Sequence, residues 1–312
     1  MKRILLTIAL SLGLSSCVTL GPRPAGGYSF AVIGDTPYSD SEREHFPLLM
    51  ERIDSEELAF VAHVGDIKSD TRVCSDEILL DRYRLFQKSR HPFIYVPGDN
   101  EWTDCRSGYD PVERLQKLRE IFFRDDQTLG ERKFKLERQS ANPAFRQYRE
   151  NVRWRIGRVL FVALNIPGSE NNFGDGLEPS PEFVERRRAN QAWLAEAFAL
   201  AGAQRMAGIV IVIQANPDIG AANAGHPNRG YGEFMEQLRA ETLAFDGQVL
   251  LVHGDTHWHH IDQPLLHPRT REPIRNFIRL ETYGSPFMGF VKVKVDDNDP
   301  KLFGFESRPY DP

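Results

Sequence analysis

Short apolar runs rich in β-branched residues recur along this chain, and segments with helical spacing lie between them. Nearly continuous runs of this length are typical of strands that are buried on both faces of a sheet. The runs are residues 28–33, 58–64, 92–96, 159–164, 208–213 and 248–252, with further strand-like segments at 276–281, 290–295 and 302–305. The clearest helical segments are residues 43–53, 76–88, 183–200 and 232–245. This alternation predicts an α/β sandwich.

One segment departs from the alternation. Residues 107–155 are charged, rich in arginine and without a clear strand pattern, which predicts a helical excursion packed beside the core. Its arginines have two interpretations, an anion-binding face or a solvated helix surface. No linker interrupts residues 28–312, so we expect them to form one domain.

Composition excludes several classes of function. The formal net charge is −5 and 27% of the residues are charged, so we predict no nucleic-acid-binding surface. The chain lacks the nucleophile elbow of serine hydrolases, the phosphate loop of NTPases and the His-Glu-x-x-His motif of zinc proteases. A site built from other residues must carry its chemistry.

The first residues have the pattern of an export signal. Lys2 and Arg3 precede an apolar stretch, residues 4–14, that is too short to span a bilayer. The letters LSSC at residues 14–17 resemble the lipobox of bacterial lipoproteins. An ordinary secretory signal with an unrelated cysteine is the alternative interpretation.

The lipobox resemblance implies cleavage before Cys17 and lipid attachment to its sulfur. Residues 1–16 are then a signal peptide, and residues 17–27, rich in Gly and Pro, are a flexible tether. Val18 is not an acidic retention signal, so the outer membrane facing the periplasm is the favoured location. We expect the protein to associate with the membrane through this lipid anchor only.

Export also affects the interpretation of the remaining cysteines. Cys74 and Cys105 form an even pair in an oxidising compartment, which favours a disulfide over two free thiols. Closing a loop of about thirty residues would stabilise the fold by roughly 3–4 kcal/mol in the chain-entropy model.

Four apolar runs end in the same pair of residues, Gly followed by Asp. The runs read AVIGD, AHVGD, YVPGD and LVHGD, and their aspartates are Asp35, Asp66, Asp99 and Asp255. Parallel strands place their carboxyl ends along one edge of a sheet, where ligands bind. Four converging carboxylates need protons or cations, because each raises the pKa of the others. Helix capping is the alternative role for any single one of them.

The order of these motifs resembles that of the calcineurin-like metallophosphoesterases. The matching residues are Asp35, Gly65-Asp66, Gly98-Asp99-Asn100-Glu101 and Gly254-Asp255-Thr256-His257. The resemblance implies a four-layer α/β/β/α sandwich of two mixed sheets flanked by helices, with a two-metal site at the strand carboxyl ends. It also implies hydrolysis of phosphoesters by a hydroxide generated at that site. The expected substrates are phosphorylated small molecules or phosphodiesters.

The same resemblance assigns roles to individual residues. It implies that Asp66 bridges the two ions, that Asp35 and His257 complete the shell of one ion, and that Asp99 and Asp255 help to hold the other. Only Asp35, Asp66 and His257 match the family's ligands without substitution.

Five positions depart from the family. Pro37 and Asp255 stand where the family has histidines, Asp99 where it has asparagine, Asn100 at its catalytic histidine, and Gln214 or Asn216 near its isolated histidine. Oxygen-rich sites suit harder ions, so we expect Mn²⁺ or Mg²⁺ rather than Zn²⁺, with Fe and Ca²⁺ compatible. Asn100 has no proton to give as a general acid. A weak or inactive relative that binds a phosphorylated ligand or a cell-envelope partner is therefore the alternative function.

Overall fold

The computed structural model describes residues 27–105 and 108–310. The predicted signal peptide, Cys17 and all of the tether except Gly27 lie outside the described residues. Within those two ranges, no helix is both long and apolar enough to cross a membrane.

Helices and strands alternate through most of the described chain. The helices are α1 (Asp40–Asp54), α2 (Asp76–Gln87), α3 (Pro111–Phe122), α4 (Gly168–Asn171), α5 (Pro181–Ala203), α6 (Ile219–Ala224) and α7 (Gly232–Ala244). The strands are β1 (Tyr28–Ile33), β2 (Val61–His63), β3 (Phe93–Tyr95), β4 (Glu137–Arg138), β5 (Val152–Ile156), β6 (Val159–Ala163), β7 (Gly208–Val212), β8 (Gln248–His253), β9 (His260–Asp262), β10 (Phe277–Glu281), β11 (Gly289–Val295) and β12 (Phe303–Pro309). Side chains cap α1, α3 and α5 at Ser39, Asp110 and Ser180, each accepting a hydrogen bond from the N–H three residues on.

The described strands form two mixed sheets. One has the order β12-β11-β1-β2-β3 and the other β4-β5-β6-β7-β8-β10-β9. Strands β1, β2 and β3 are parallel to one another, as are β6, β7, β8 and β10. In each sheet, therefore, the carboxyl ends of the parallel strands share one edge.

Apolar side chains hold the layers together. Val32 of the first sheet and Val210 of the second belong to one buried core between the sheets. Helices α1, α2 and α3 cover the outer face of the first sheet, where Phe86 is fully buried. Helices α5, α6 and α7 cover the second sheet around Trp193. The predicted four-layer α/β/β/α sandwich is confirmed.

The segment 107–155 is only partly helical. Helix α3 occupies its first part, but β4 and β5 follow, so the prediction of a helical excursion without a strand is wrong for its second half. Strand β5 reads VRWRI, and its arginines hide the alternation of apolar residues. Arg153 lies buried because it pairs with Glu137 at 2.5 Å and stacks over Trp193. This arginine is structural, which neither interpretation of the segment foresaw.

Cys74 and Cys105 form the predicted disulfide, with their Cα atoms 5.7 Å apart. The bond joins the loop after β2 to the loop after β3. The two sulfur atoms lie 3.7 and 3.6 Å from the carbonyl oxygen of Asn100. The disulfide thus supports the residue that directly follows Asp99.

Candidate metal centre

The four strand-end aspartates lie where the parallel edges of the two sheets meet. Asp35, Asp66 and Asp99 follow β1, β2 and β3 of one sheet, and Asp255 follows β8 of the other. The N–H of Asp255 donates to Oδ1 of Asp35 across the sheets at 2.9 Å. The backbone N–H of Ser285, after β10, donates to the carbonyl oxygen of Asp35 at 2.9 Å. Both sheets therefore contribute to one site.

Three of these aspartates have a left-handed backbone. The φ angle is 50° at Asp35, 57° at Asp66 and 84° at Asp255. Aspartate tolerates this conformation better than most residues, but it still costs free energy. Backbone strain of this kind is concentrated at functional sites.

Two glycines make room for carboxylate oxygens. A Cβ atom at Gly254 would overlap Oδ2 of Asp35 and lie 2.9 Å from its Cγ. A Cβ atom at Gly98 would overlap Oδ1 of Asp66. The glycine of each Gly-Asp pair thus allows the side chain from another strand to approach closely.

A third glycine was not predicted. Gly168 follows β6, and a Cβ atom there would lie 2.6 Å from Oδ1 of Asp99 and 2.8 Å from Oδ1 of Asp255. These two carboxylate oxygens therefore face the same small space from different sheets.

Asn100 and Tyr38 hold the carboxylate of Asp66. Oδ1 of Asp66 accepts from the backbone N–H of Asn100 at 3.1 Å. Oδ2 accepts from the Tyr38 hydroxyl at 2.8 Å and from the Asn100 side-chain amide at 2.9 Å. The amide of Asn100 also lies 2.9 Å from the Tyr38 oxygen. At the predicted catalytic position, Asn100 thus acts as a neutral hydrogen-bond donor.

The ring of His257 is oriented as a metal ligand would be. Its Nδ1 lies 2.6 Å from the carbonyl oxygen of Ser285, which only accepts hydrogen bonds, so the Nδ1–H donates to that oxygen and leaves Nε2 facing the site. Nε2 lies 3.3 Å from the Tyr38 hydroxyl and 3.8 Å from Oδ1 of Asp35. His257 and Asp35, which are predicted to bind the same ion, therefore lie close together.

Gln214 is fully buried just after β7. Its Oε1 accepts from the backbone N–H of Gly168, and its Nε2 has no hydrogen-bond partner among the described residues. The nearby N–H of Asn216 donates to Oδ2 of Asp255 at 2.8 Å. The side-chain oxygen of Gln214 already accepts a hydrogen bond from the backbone. A metal-ligand role for Gln214 stays a prediction.

Burial raises the pKa of all four carboxyls, and neighbouring carboxylates add to the effect. Burial and the charge of Asp255 raise the pKa of Asp99 to about 8. Burial raises the pKa of Asp255 to about 6. Burial also raises the pKa values of Asp35 and Asp66 well above the ordinary range, with further contributions from the other aspartates. Such a cluster retains protons near neutral pH or takes up cations.

The donor set fits a hard divalent cation. Oδ2 of Asp35 and Oδ1 of Asp99 are buried and accept no hydrogen bond from the described residues. Imidazole enters the predicted set only through His257, and oxygen-rich sets suit Mn²⁺, Mg²⁺ or Ca²⁺. In residues 27–105 and 108–310, no three His, Cys, Asp or Glu side chains already surround a common metal position.

Glu101 belongs to the third motif, but the sequence assigned it no role. It is fully buried, and its carboxylate accepts from the N–H groups of Asp66, Ile67 and Gly98 at 3.1, 3.2 and 2.6 Å. The Tyr95 hydroxyl donates to it at 2.7 Å. Glu101 therefore fixes the turns after β2 and β3 relative to each other.

A cavity of about 460 Å³ lies beside the site. Its lining is acidic and comprises Asp70, Asp104, Ser169, Glu170, Gly174 and Asp175. Ser169 connects this cavity to the aspartate cluster, because its hydroxyl donates to Oδ2 of Asp99 at 2.9 Å.

This chain is similar to known proteins in structure but not in sequence. No protein-family model matches the chain, and no curated protein sequence matches it. A dimetal phosphatase from Danio rerio is similar in structure, with a TM-score of 0.60 and 11% identity over 91% of this chain and 97% of that one.

Two further solved structures are similar in fold. PhoD has a TM-score of 0.53 and 14% identity over 88% of this chain and 64% of that one. A purple acid phosphatase from yellow lupin has a TM-score of 0.54 and 12% identity over 92% of this chain and 53% of that one. This chain therefore spans about two thirds and half of their lengths. The chain has the calcineurin-like metallophosphoesterase fold.

Proposed function

We propose that this protein hydrolyses phosphomonoesters or phosphodiesters with the help of two divalent metal ions. The observation that carries the proposal is the cluster of buried carboxylates from both sheets, in which Asp35 and Asp99 each have a buried oxygen without a hydrogen-bond donor among the described residues. The similarity in fold to dimetal phosphatases supports it. In these proteins the same kind of sandwich carries phosphatase chemistry.

The resemblance to the calcineurin-like metallophosphoesterases supplies the proposed ligands. Asp66 would bridge the ions, Asp35 and His257 would complete the shell of one, and Asp99 and Asp255 would hold the other, with Gln214 as a further candidate. Two bound divalent ions would supply an activated water and neutralise charge on the phosphoryl group. Because carboxylates dominate the set, we expect Mn²⁺ or Mg²⁺ to support hydrolysis better than Zn²⁺, with Fe and Ca²⁺ compatible.

Asn100 limits the range of substrates. Its two amide hydrogens donate to Asp66 and Tyr38, so Asn100 is a neutral hydrogen-bond donor within the site. An amide does not protonate a leaving group, which costs about 10²–10⁴-fold for poor leaving groups. We therefore expect phosphorylated small molecules or phosphodiesters with good leaving groups to be the better substrates.

We place the protein in the bacterial cell envelope, anchored by lipid on Cys17 and facing the periplasm. The disulfide between Cys74 and Cys105 supports an oxidising compartment. Metabolic labelling with a fatty acid tests this placement. Label should be lost in Cys17→Ala, and labelling of that variant would contradict the anchor.

Hydrolysis of p-nitrophenyl phosphate and bis(p-nitrophenyl) phosphate tests the activity. Protein treated with a chelator and then supplied with Mn²⁺ should turn over at least one of the two, and Asp66→Asn should abolish the turnover. Asp246→Asn is the matched control, because Asp246 is exposed at the amino end of β8, the edge opposite the site. Equal turnover by Asp66→Asn and the control would contradict the proposal.

A binding protein is the second candidate function. The hydrogen bonds from Tyr38 and Asn100 to Oδ2 of Asp66 favour it, because they hold the predicted bridging carboxylate without a metal. Calorimetric binding of inorganic phosphate, without turnover of either ester in any divalent ion, would support this function over hydrolysis.

A further inference from the structure

The short element α4, after β6, is a left-handed turn and not a right-handed helix. Ser169, Glu170, Asn171 and Asn172 all have positive φ angles, of 47°, 52°, 57° and 55°. None of them is glycine, and each residue with a Cβ atom loses free energy in this left-handed conformation. Four consecutive residues of this kind form a left-handed turn that the surrounding structure must impose.

Two arginines hold the left-handed turn from outside. Arg186 of α5 is fully buried, and its guanidinium donates to the side-chain oxygen of Asn171 at 2.5 Å and to its carbonyl oxygen at 2.9 Å. Arg229 donates to the carboxylate of Glu170 at 2.8 Å. These bonds to the middle of the turn leave its first residue directed to the aspartate cluster.

That first residue is Ser169. Its Oγ lies 2.9 Å from Oδ2 of Asp99 and 3.0 Å from Oδ2 of Asp104. A hydroxyl has one proton, so it donates to only one of these carboxylates at a time. The other oxygen of Asp99, Oδ1, is buried without a hydrogen-bond donor among the described residues and lies next to Gly168 at the start of the turn.

We propose that Ser169 is a positioning residue whose hydroxyl occupies Oδ2 of Asp99 and so directs Oδ1 to a bound divalent ion. The strained turn holds this hydroxyl beside Asp99. The inference rests on the proposed function, because it assumes that Asp99 is a metal ligand. Residues that orient a ligand in this way typically change metal affinity about 10–100-fold when they are removed.

Ser169→Gly tests the role of the hydroxyl separately from that of the strained backbone. Glycine adopts the left-handed backbone freely, so the variant removes the side chain without straining the turn. Arg205→Gly is the matched control, because Arg205 is exposed, has a φ angle of 49° and lies at the end of α5 away from the aspartates. Ser169→Ala provides a second variant that removes the hydroxyl and keeps a Cβ atom.

The experiment measures Mn²⁺ affinity by calorimetry and the thermal midpoint in chelator for all four proteins. We expect Ser169→Gly and Ser169→Ala to bind Mn²⁺ about 10–100-fold more weakly than the wild type. Arg205→Gly should bind as the wild type does, and Ser169→Gly should keep its thermal midpoint. Excess Mn²⁺ should restore any ester hydrolysis in the Ser169 variants.

Two results would overturn the inference, and they are distinguishable. Wild-type affinity in both Ser169 variants would overturn the positioning role and leave the proposed function intact. Absence of Mn²⁺ binding in the wild type would overturn the metal-dependent function and the inference with it. If Ser169→Gly fails to fold, the affinity of Ser169→Ala decides between the outcomes.

Discussion

Replacing Asp99 with asparagine exchanges a buried titratable carboxyl for a neutral amide and keeps the shape of the side chain. The amide oxygen of asparagine still accepts the hydrogen bond from Ser169. Without metal, this carboxyl destabilises the fold at neutral pH, because burial and the charge of Asp255 raise the pKa of Asp99 from 3.8 to about 8. The substitution should therefore stabilise the metal-free protein.

The magnitude follows from linkage between protonation and folding. Because the folded state holds the Asp99 proton more tightly than the unfolded state, stability falls as the pH rises from 3.8 towards 8. Each pH unit in that window costs about 1.4 kcal/mol. At pH 7 the accumulated loss is about 4 kcal/mol, which for a domain of this size corresponds to a thermal midpoint on the order of 10 °C lower.

Thermal unfolding in EDTA and in Mn²⁺, between pH 5 and pH 8, measures the effect. In EDTA the wild type should lose stability as the pH rises, whereas Asp99→Asn should lose less and be the more stable protein at pH 7. In Mn²⁺ the order should reverse, because the ion stabilises the wild type through the carboxylate. If Asp99→Asn is the less stable protein in EDTA at pH 7, or shows the same pH dependence as the wild type, the electrostatic reasoning is refuted.

Two more changes test the surroundings of the site. Gly254→Ala should destabilise the fold by about 1–3 kcal/mol and weaken Mn²⁺ binding, because the new methyl group would overlap the carboxylate of Asp35. Gly202→Ala, where a Cβ atom meets nothing within 4 Å, is its control in calorimetry, and equal losses in both would contradict the steric argument. Replacing Cys74 and Cys105 with serine should lower the free energy of unfolding by roughly 3–4 kcal/mol in urea denaturation. An unchanged midpoint would show that the disulfide contributes little.

The positions of the aspartates could be predicted because local sequence determines them. An apolar run followed by Gly-Asp predicts a strand that ends at a carboxylate, and parallel strands bring such ends together. Asp35 and Asp255 are 220 positions apart in the chain, yet Asp255 donates its N–H to Asp35. The α/β class followed from the alternation of strand and helix patterns, the four layers from the family resemblance, and the disulfide from the predicted export and the even pair of cysteines.

The left-handed turn could not be predicted from local sequence. Nothing in the letters around Ser169 requires positive φ angles. Arg186 and Arg229 hold the conformation from 15 and 59 positions beyond their partners in the turn. Strand β5 was missed for a related reason. Arg153 looks like a surface residue in the sequence, and only its contacts with Glu137 and Trp193 explain its burial. Tertiary contacts, which leave no periodic signal, decide both cases.

Titration of Mn²⁺ into chelator-treated protein measures whether the strand-end carboxylates of both sheets form a divalent-metal centre. We expect two Mn²⁺ ions per chain in the wild type. We also expect loss of binding in the double variant Asp35→Asn/Asp255→Asn, which removes one carboxylate from each sheet. A wild-type protein that binds no Mn²⁺, or a double variant that binds it as tightly as the wild type, would show that these carboxylates do not form such a centre.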